Sequence, residues 1–187
     1  MKNNKLPLIL IIIVVVIFFW IFGSYNQFVT LNQKTDNQWA QVETQYQRRF
    51  DLIPNLVKST EAVMKQEKQV FTDLANARSQ YAGAKTVDEK TAAATNLESS
   101  LGRLLVIVEN YPQLKSNETV NKLMDELSGT ENRVAVERKR FNDQITEYNL
   151  SVIKFPNNIF AKIFGFKQRQ FFKSVETASS VPEVNFD

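Results

Sequence analysis

The run Leu6 to Phe22, LPLILIIIVVVIFFWIF, holds seventeen residues without a charge, and every other reading of the chain has to accommodate it. A helix of that length covers roughly 26 Å, slightly short of the ~30 Å hydrocarbon core of a bilayer, and Gly23, Ser24 and Tyr25 extend it. Fourteen of the fifteen residues from Leu8 to Phe22 are Leu, Ile, Val or Phe. Each contributes about −0.3 to −0.6 kcal/mol at the centre of a spanning helix. Residues 6–24 therefore read as a transmembrane helix. The competing reading is a cleaved signal peptide, which needs a shorter apolar core and small residues ahead of the cut. Ile21 and Phe22 occupy those positions for a cut after Gly23 or Ser24, so the run is expected to be retained.

Lys2 and Lys5 precede the run, and the first basic residue after it is Lys34. The positive-inside rule places residues 1–5 in the cytoplasm and the body outside, in a single-pass protein of the cell membrane. Trp20 and Tyr25 suit the outer interface as aromatic anchors, and simple packing explains them equally well. Cysteine is absent, which fits an extracytoplasmic body and excludes a lipid-modified cysteine anchor.

About 160 residues follow the anchor, enough for one domain with its own core. Pro54, Pro112 and Pro156 fall between long helix-patterned stretches, and they set the expected boundaries. The first stretch, from Tyr25 to about Phe50, carries a seam in 4,3 spacing at Phe28, Asn32, Thr35, Trp39, Val42, Tyr46, Arg49 and Ile53. Pro54 disfavours helix at Ile53 and suits the first position of a new one, so a turn is expected at 51–53. One long helix kinked at Pro54 is the alternative.

The second helix would run from Pro54 to about Tyr81, with seam residues Val57, Thr60, Met64, Glu67, Phe71, Leu74, Arg78 and Tyr81, ending near Gly83. The third, Asp88 to Asn110, leads a seam of Ala94, Leu97, Leu101, Leu104, Val108 and Tyr111. The fourth starts at Asn117 as N-cap and holds Val120, Met124, Leu127, Glu131, Val134, Arg138, Phe141, Ile145, Tyr148 and Val152 in register. Comparable lengths and short connections predict an all-α protein: a transmembrane helix followed by an antiparallel up-and-down four-helix bundle, residues 25–153, with long coiled-coil-like helices. In that topology the last helix returns toward the membrane.

Residues 154–173 then form a membrane-proximal segment with six Phe, including Phe160, Phe164 and Phe166, five Lys or Arg and no acid. That composition suits insertion among lipid headgroups, and capping of the lower end of the bundle accounts for the same Phe residues. Residues 174–187 read as an extended tail.

Charges on the seam require partners, and Arg49, Glu67, Arg78, Glu131 and Arg138 are expected to form an ion-pair network that fixes register. Helix lengths place Glu67 and Glu131 level with Trp39, and Arg49 near Glu109 or the Tyr111 turn. Two acids at one level raise the question of a metal site, but such bundles draw on Glu-x-x-His pairs, and the chain has no His. No metal, cofactor or catalytic residue is expected, because Ser-His-Asp and Cys-His chemistry lack their residues and no Gly-rich phosphate loop occurs. Interspersed charges totalling +3 offer no basic stripe for nucleic acid. Arg48 beside Arg49 could hold an anionic ligand at the tip, or serve structure alone.

Several motifs are together similar to one family. Trp39-Ala40-Gln41-Val42-Glu43 and Gln47-Arg48-Arg49-Phe50-Asp51-Leu52-Ile53-Pro54-Asn55-Leu56-Val57 lead. Ala77-Arg78, Glu109-Asn110-Tyr111-Pro112, Gly129-Thr130-Glu131-Asn132-Arg133, Tyr148-Asn149, Phe155-Pro156, Gly165-Phe166 and Pro182 to Phe186 follow in order. The chain resembles the LemA family of bacterial membrane proteins along essentially its whole length. Phe141-Asn142 departs from the usual Tyr-Asn and removes a hydroxyl from the seam. The resemblance implies an N-terminally anchored antiparallel helical bundle and carries no catalytic residues. The expected function is a non-enzymatic scaffold or adaptor of the bacterial cell envelope, held at the bilayer and engaging a membrane-protein partner through Arg48, Phe160, Phe164 and Phe166. A receptor for a small anionic or lipid ligand and a self-assembling structural protein are the alternatives.

Overall fold

The computed structural model describes residues 5–172. The expected cytoplasmic Lys2 and the extended tail from 174 onward lie outside that range. Among the described residues there are six helices and no strand: α1 (Lys5–Thr60), α2 (Lys68–Gly83), α3 (Val87–Glu109), α4 (Pro112–Lys115), α5 (Glu118–Ile153) and α6 (Asn157–Phe164). The protein is all-α, as expected, with one long apolar N-terminal helix.

The turn expected at 51–53 is absent. α1 continues through Pro54 for two further turns, the kinked-helix alternative. Proline leaves the Phe50 carbonyl without its helical N–H and costs about 3 kcal/mol in a helix interior. The seam opposes that cost: Ile53 and Leu56 are buried on either side of Pro54, and each such side chain contributes about 1.5–3 kcal/mol. Thr60 closes the helix, its hydroxyl donating to the Leu56 carbonyl at 2.8 Å. The chain reverses over residues 61–67, where Met64 N–H donates to Thr60 O at 2.9 Å and the fully buried Met64 side chain fixes the turn.

The remaining boundaries follow local chemistry. Thr86 caps α3 in a reciprocal box with Glu89, whose carboxylate accepts from the Lys85 and Thr86 N–H groups at 2.8 and 3.1 Å. Those two bonds hold the Glu89 carboxyl below its ordinary range. Pro112 opens the short α4. Asn117 Oδ1 accepts from the Thr119 and Val120 N–H groups at 3.0 and 3.2 Å, the expected N-cap of α5.

The chain divides into two compact units. The first combines α1 through Ala40 with Lys139–Phe171. In it α1 and α5 run antiparallel, since Trp39 meets Phe141 ring to ring at 5.2 Å while Phe28 packs with Tyr148 and Val152 lower down. Phe141 is 1% exposed, so the family's missing hydroxyl leaves no buried polar atom to satisfy there. The second unit spans Gln41–Arg138 together with Phe172. Its α2 and α3 form an antiparallel pair, with Gln80 opposite Asn96 and Glu67 opposite Tyr111. The expected α3 seam is buried at Ala94, Leu97, Leu101, Leu104 and Val108, whereas Tyr111 lies past the end of the helix, half-buried at the N-cap of α4. On α2 the expected Leu74 and Tyr81 are buried, but between them Ala77 takes the inward place of Arg78, which is exposed.

Candidate functional site

In the first unit the chain after α5 folds back against α1 where the apolar run ends. Ser24, buried at that point, donates to Asn157 Oδ1 at 3.2 Å. Phe160 packs edge-on against Trp20 with centroids 5.8 Å apart, and Phe164 against Tyr25 at 5.1 Å. Gly165 follows with φ +78, a left-handed conformation that costs residues bearing a Cβ about 1–2 kcal/mol. The turn it makes brings Phe166 back onto Phe28 at 5.1 Å and Tyr25 at 5.9 Å. The three Phe residues singled out from sequence therefore converge on one stretch of α1.

A polar latch holds the next few residues. Tyr148 donates its hydroxyl to the Lys167 carbonyl at 3.0 Å. Asn149 pairs both ways with the Arg169 backbone, donating to its carbonyl at 2.9 Å and accepting from its N–H at 2.8 Å. The Arg169 guanidinium reaches Asn32 at 3.0 Å and Asp36 at 2.6 Å. This latch was not anticipated. Asn32 stood on the expected seam, and Tyr148-Asn149 was visible as a motif, but nothing in local spacing pointed to Arg169, more than a hundred residues from Asp36.

The second unit contains the expected seam charges in a different arrangement. Arg138 is paired, donating to both oxygens of Glu98 at 3.1 and 3.2 Å, with its guanidinium 4.0 Å from the centroid of the Phe172 ring. Tyr46, fully buried, donates to the same Glu98 at 2.8 Å. Burial, reinforced by the Glu98 charge, holds the Tyr46 hydroxyl far above the ordinary tyrosine range. A second pair joins Lys90 to Glu43. Glu98 and Glu43 were missed because each lies one residue to the side of a seam position, and Lys90 because it precedes Ala94, the first seam residue of its helix.

Arg49 is 3% exposed, and its nearest carboxylate is Glu131, with Nη2 3.6 Å from Oε2. Its Nε and Nη1 make no hydrogen bond. The expected contact of Arg49 with Glu109 or the Tyr111 turn is thus replaced by one with Glu131, and Glu109 is exposed. Glu131 itself has a side chain 64% exposed. Glu67, expected deep beside Trp39 and Glu131, lies in the turn before α2 and accepts from the Tyr111 hydroxyl at 3.4 Å. Both displacements have one cause: α1 extends past Pro54, which moves the reversal to residues 61–67 and changes every level counted from it.

Arg48 is exposed and lines an open groove of about 510 Å³ with Leu52, Asp125, Glu126, Gly129, Thr130 and Arg133. Two arginines face two carboxylates, so the groove carries no net charge to draw an anion.

The LemA family description matches residues 38–186. Magnetosome protein MamQ 2 and Magnetosome protein MamQ 1 of Paramagnetospirillum magneticum are each 29% identical over 175 residues, covering 80% of this chain and 64% of theirs. Magnetosome protein MamQ of Magnetospirillum gryphiswaldense is 29% identical over 174 residues, covering 79% of this chain and 64% of its own. The chain thus spans just under two thirds of the length of these curated relatives. The family match opens at Gln38, beyond the apolar run, and takes in the groove, the seam from Trp39 onward and the Tyr148, Asn149 and Arg169 side of the latch: the chain belongs to the LemA family.

Proposed function

We propose that this membrane-associated helical protein is a non-enzymatic scaffold or adaptor of the bacterial cell envelope, crossing the membrane once through α1 with its body outside. The observation that carries the reading is the return of the chain to the end of the apolar run. Asn157, Phe160 and Phe164 meet Ser24, Trp20 and Tyr25, so α6 is assembled where α1 leaves its apolar stretch. A structure built to present surfaces beside a membrane needs that arrangement. The chain carries no His or Cys, and the polar groups of Arg138, Glu98 and Tyr46 are engaged with one another. The relatives' designation as magnetosome proteins names a cell structure and no reaction, which supports a structural role. A receptor for a small anion would use the groove at Arg48, where Asp125 and Glu126 oppose it.

In-cell photo-crosslinking from Arg48 and from the exposed Lys162 tests the proposal. One recurrent membrane-protein adduct is the expected result. Adducts with lipid and with copies of the chain alone would refute the adaptor and leave a self-assembling structural protein. Cysteine labelling from outside the cell at Arg48 checks the orientation, and reaction only after permeabilisation would reverse it.

A further inference from the structure

We propose that α6 lies in the interface of the membrane that α1 crosses, with Phe155, Ile159 and Ile163 among the lipid headgroups and upper acyl chains, as a second and peripheral attachment. The proposal rests on reading α1 as the anchor. Three observations in the first unit lead to it.

The direction of α6 comes from its contacts. An eight-residue helix is about 12 Å long, and if α6 ran along α1 its partners would advance steadily with its own numbering. They do not: Asn157 meets Ser24, Phe160 meets Trp20 and Phe164 meets Tyr25. All three partners fall within about 7.5 Å of one another along the α1 axis. α6 therefore lies across α1, and a helix crossing a membrane-spanning one runs along the membrane surface.

Its apolar side chains exceed what packing uses. Ala161 is buried, and Phe160 faces the cluster of Phe28, Leu31, Tyr148 and Val152. Ile159 and Ile163, about 40° apart around the helix, share another side and are 49% and 70% exposed. Phe155, one turn earlier, is 81% exposed. These values match those of the apolar run itself, where Leu8 is 60% and Phe19 69% exposed. Through the Trp20–Phe160 contact the apolar surface of α6 continues that of the anchor.

Charge selects the occupant. From Lys154 to Phe172 the chain has no Asp or Glu, while Lys154, Lys162 and Lys167 are exposed. Basic residues flanking an apolar stripe suit an anionic lipid surface. The bilayer is the one partner whose position relative to Trp20 is already determined by the anchor.

The absence of native Cys allows single nitroxide labels on the full chain in vesicles of phosphatidylethanolamine with phosphatidylglycerol. Positions 159, 163, 158 and 162 would be labelled in turn, with Val14 as the reference for the anchor. Labels at 159 and 163 are expected to favour collisions with oxygen over a water-soluble nickel chelate severalfold relative to 158 and 162. A preference for the chelate at 159 and 163, with Val14 still in lipid, would overturn the proposal and spare the anchor. Shielding of 159 and 163 from both reagents would overturn it in favour of a protein contact. Exposure of Val14 to the chelate would remove the anchor reading itself.

Discussion

Glu98 joins Arg138 and Tyr46 in the second unit, and its removal is the most informative single perturbation there. Glu98→Ala deletes the acceptor of the buried Tyr46 hydroxyl, a bond to a charged group of about 1.5–3 kcal/mol. It also strands Arg138, whose side chain is 17% exposed against 20% for Glu98. Breaking a fully buried pair costs about 3–5 kcal/mol and an exposed one under about 1. A pair four-fifths covered falls between, near 2 kcal/mol, and part of that overlaps with the tyrosine loss because the groups act together. The expected total is about 3 kcal/mol. For a chain of this size each kcal/mol moves the unfolding midpoint by about 2–4 °C, so thermal melting of the full chain in detergent, followed by helical ellipticity, should fall by roughly 6–12 °C. Glu98→Gln keeps an acceptor for Tyr46 and loses the charge opposite Arg138, so about half that fall is expected. Glu147→Ala, at an exposed position on α5, controls for the loss of a carboxylate. A midpoint for Glu98→Ala within about 1 °C of that control would refute the network as a source of stability.

Three further outcomes test other parts of the structure. Pro54→Ala restores an N–H for the Phe50 carbonyl inside α1 and should stabilise by about 1–3 kcal/mol; an unchanged or lower midpoint would fit a proline at the first position of a separate helix instead. Burial first, and then the Glu98 and Glu43 charges, hold the hydroxyls of Tyr46 and Tyr81 well above their ordinary value of 10.0. Only the unfolded chain then ionises near that value, so stability complete below about pH 10 should fall as pH rises through it, by up to about 2.7 kcal/mol per unit for both residues. Denaturant titrations from pH 8 to 11 check this, and an identical slope in a Tyr46→Phe, Tyr81→Phe chain would contradict it. Arg49→Met replaces a buried guanidinium whose Nε and Nη1 make no hydrogen bond and should be neutral or stabilising by up to a few kcal/mol. A loss above about 2 kcal/mol on chemical unfolding would show that the 3.6 Å approach to Glu131 matters more than its geometry suggests.

What could be read from the sequence was what repeats locally. The 4,3 spacing of Trp39, Val42, Tyr46 and Ile53, and of Leu97, Leu101, Leu104 and Val108, marks the buried faces of α1 and α3, because burial of a helix face has to recur with the helical turn. Pro54 was misread because the rule at hand weighs the lost N–H and clash of one proline, whereas Ile53 and Leu56 together bury more than that cost. The missed ion pairs have a different cause. Glu98 and Glu43 sit beside seam positions Leu97 and Val42, at the border where a long side chain from a neighbouring helix can reach a carboxylate still close to water. A heptad count registers only what points straight inward, so it picked out Arg138 and overlooked its partner. The latch lay further from reach, since Arg169 has no periodicity and its partners Asn32 and Asp36 are brought to it only by the antiparallel return of α5. Yet Tyr148-Asn149, Phe155-Pro156 and Gly165-Phe166, which carried the family resemblance without a role, all fall at that return: the first clasps the backbone of Lys167 and Arg169, the second turns the chain out of α5, and the third turns it back onto Phe28. These three motifs seat the segment after α5 against the exit of the apolar run, and that seating is the feature a membrane-surface function would require of this chain.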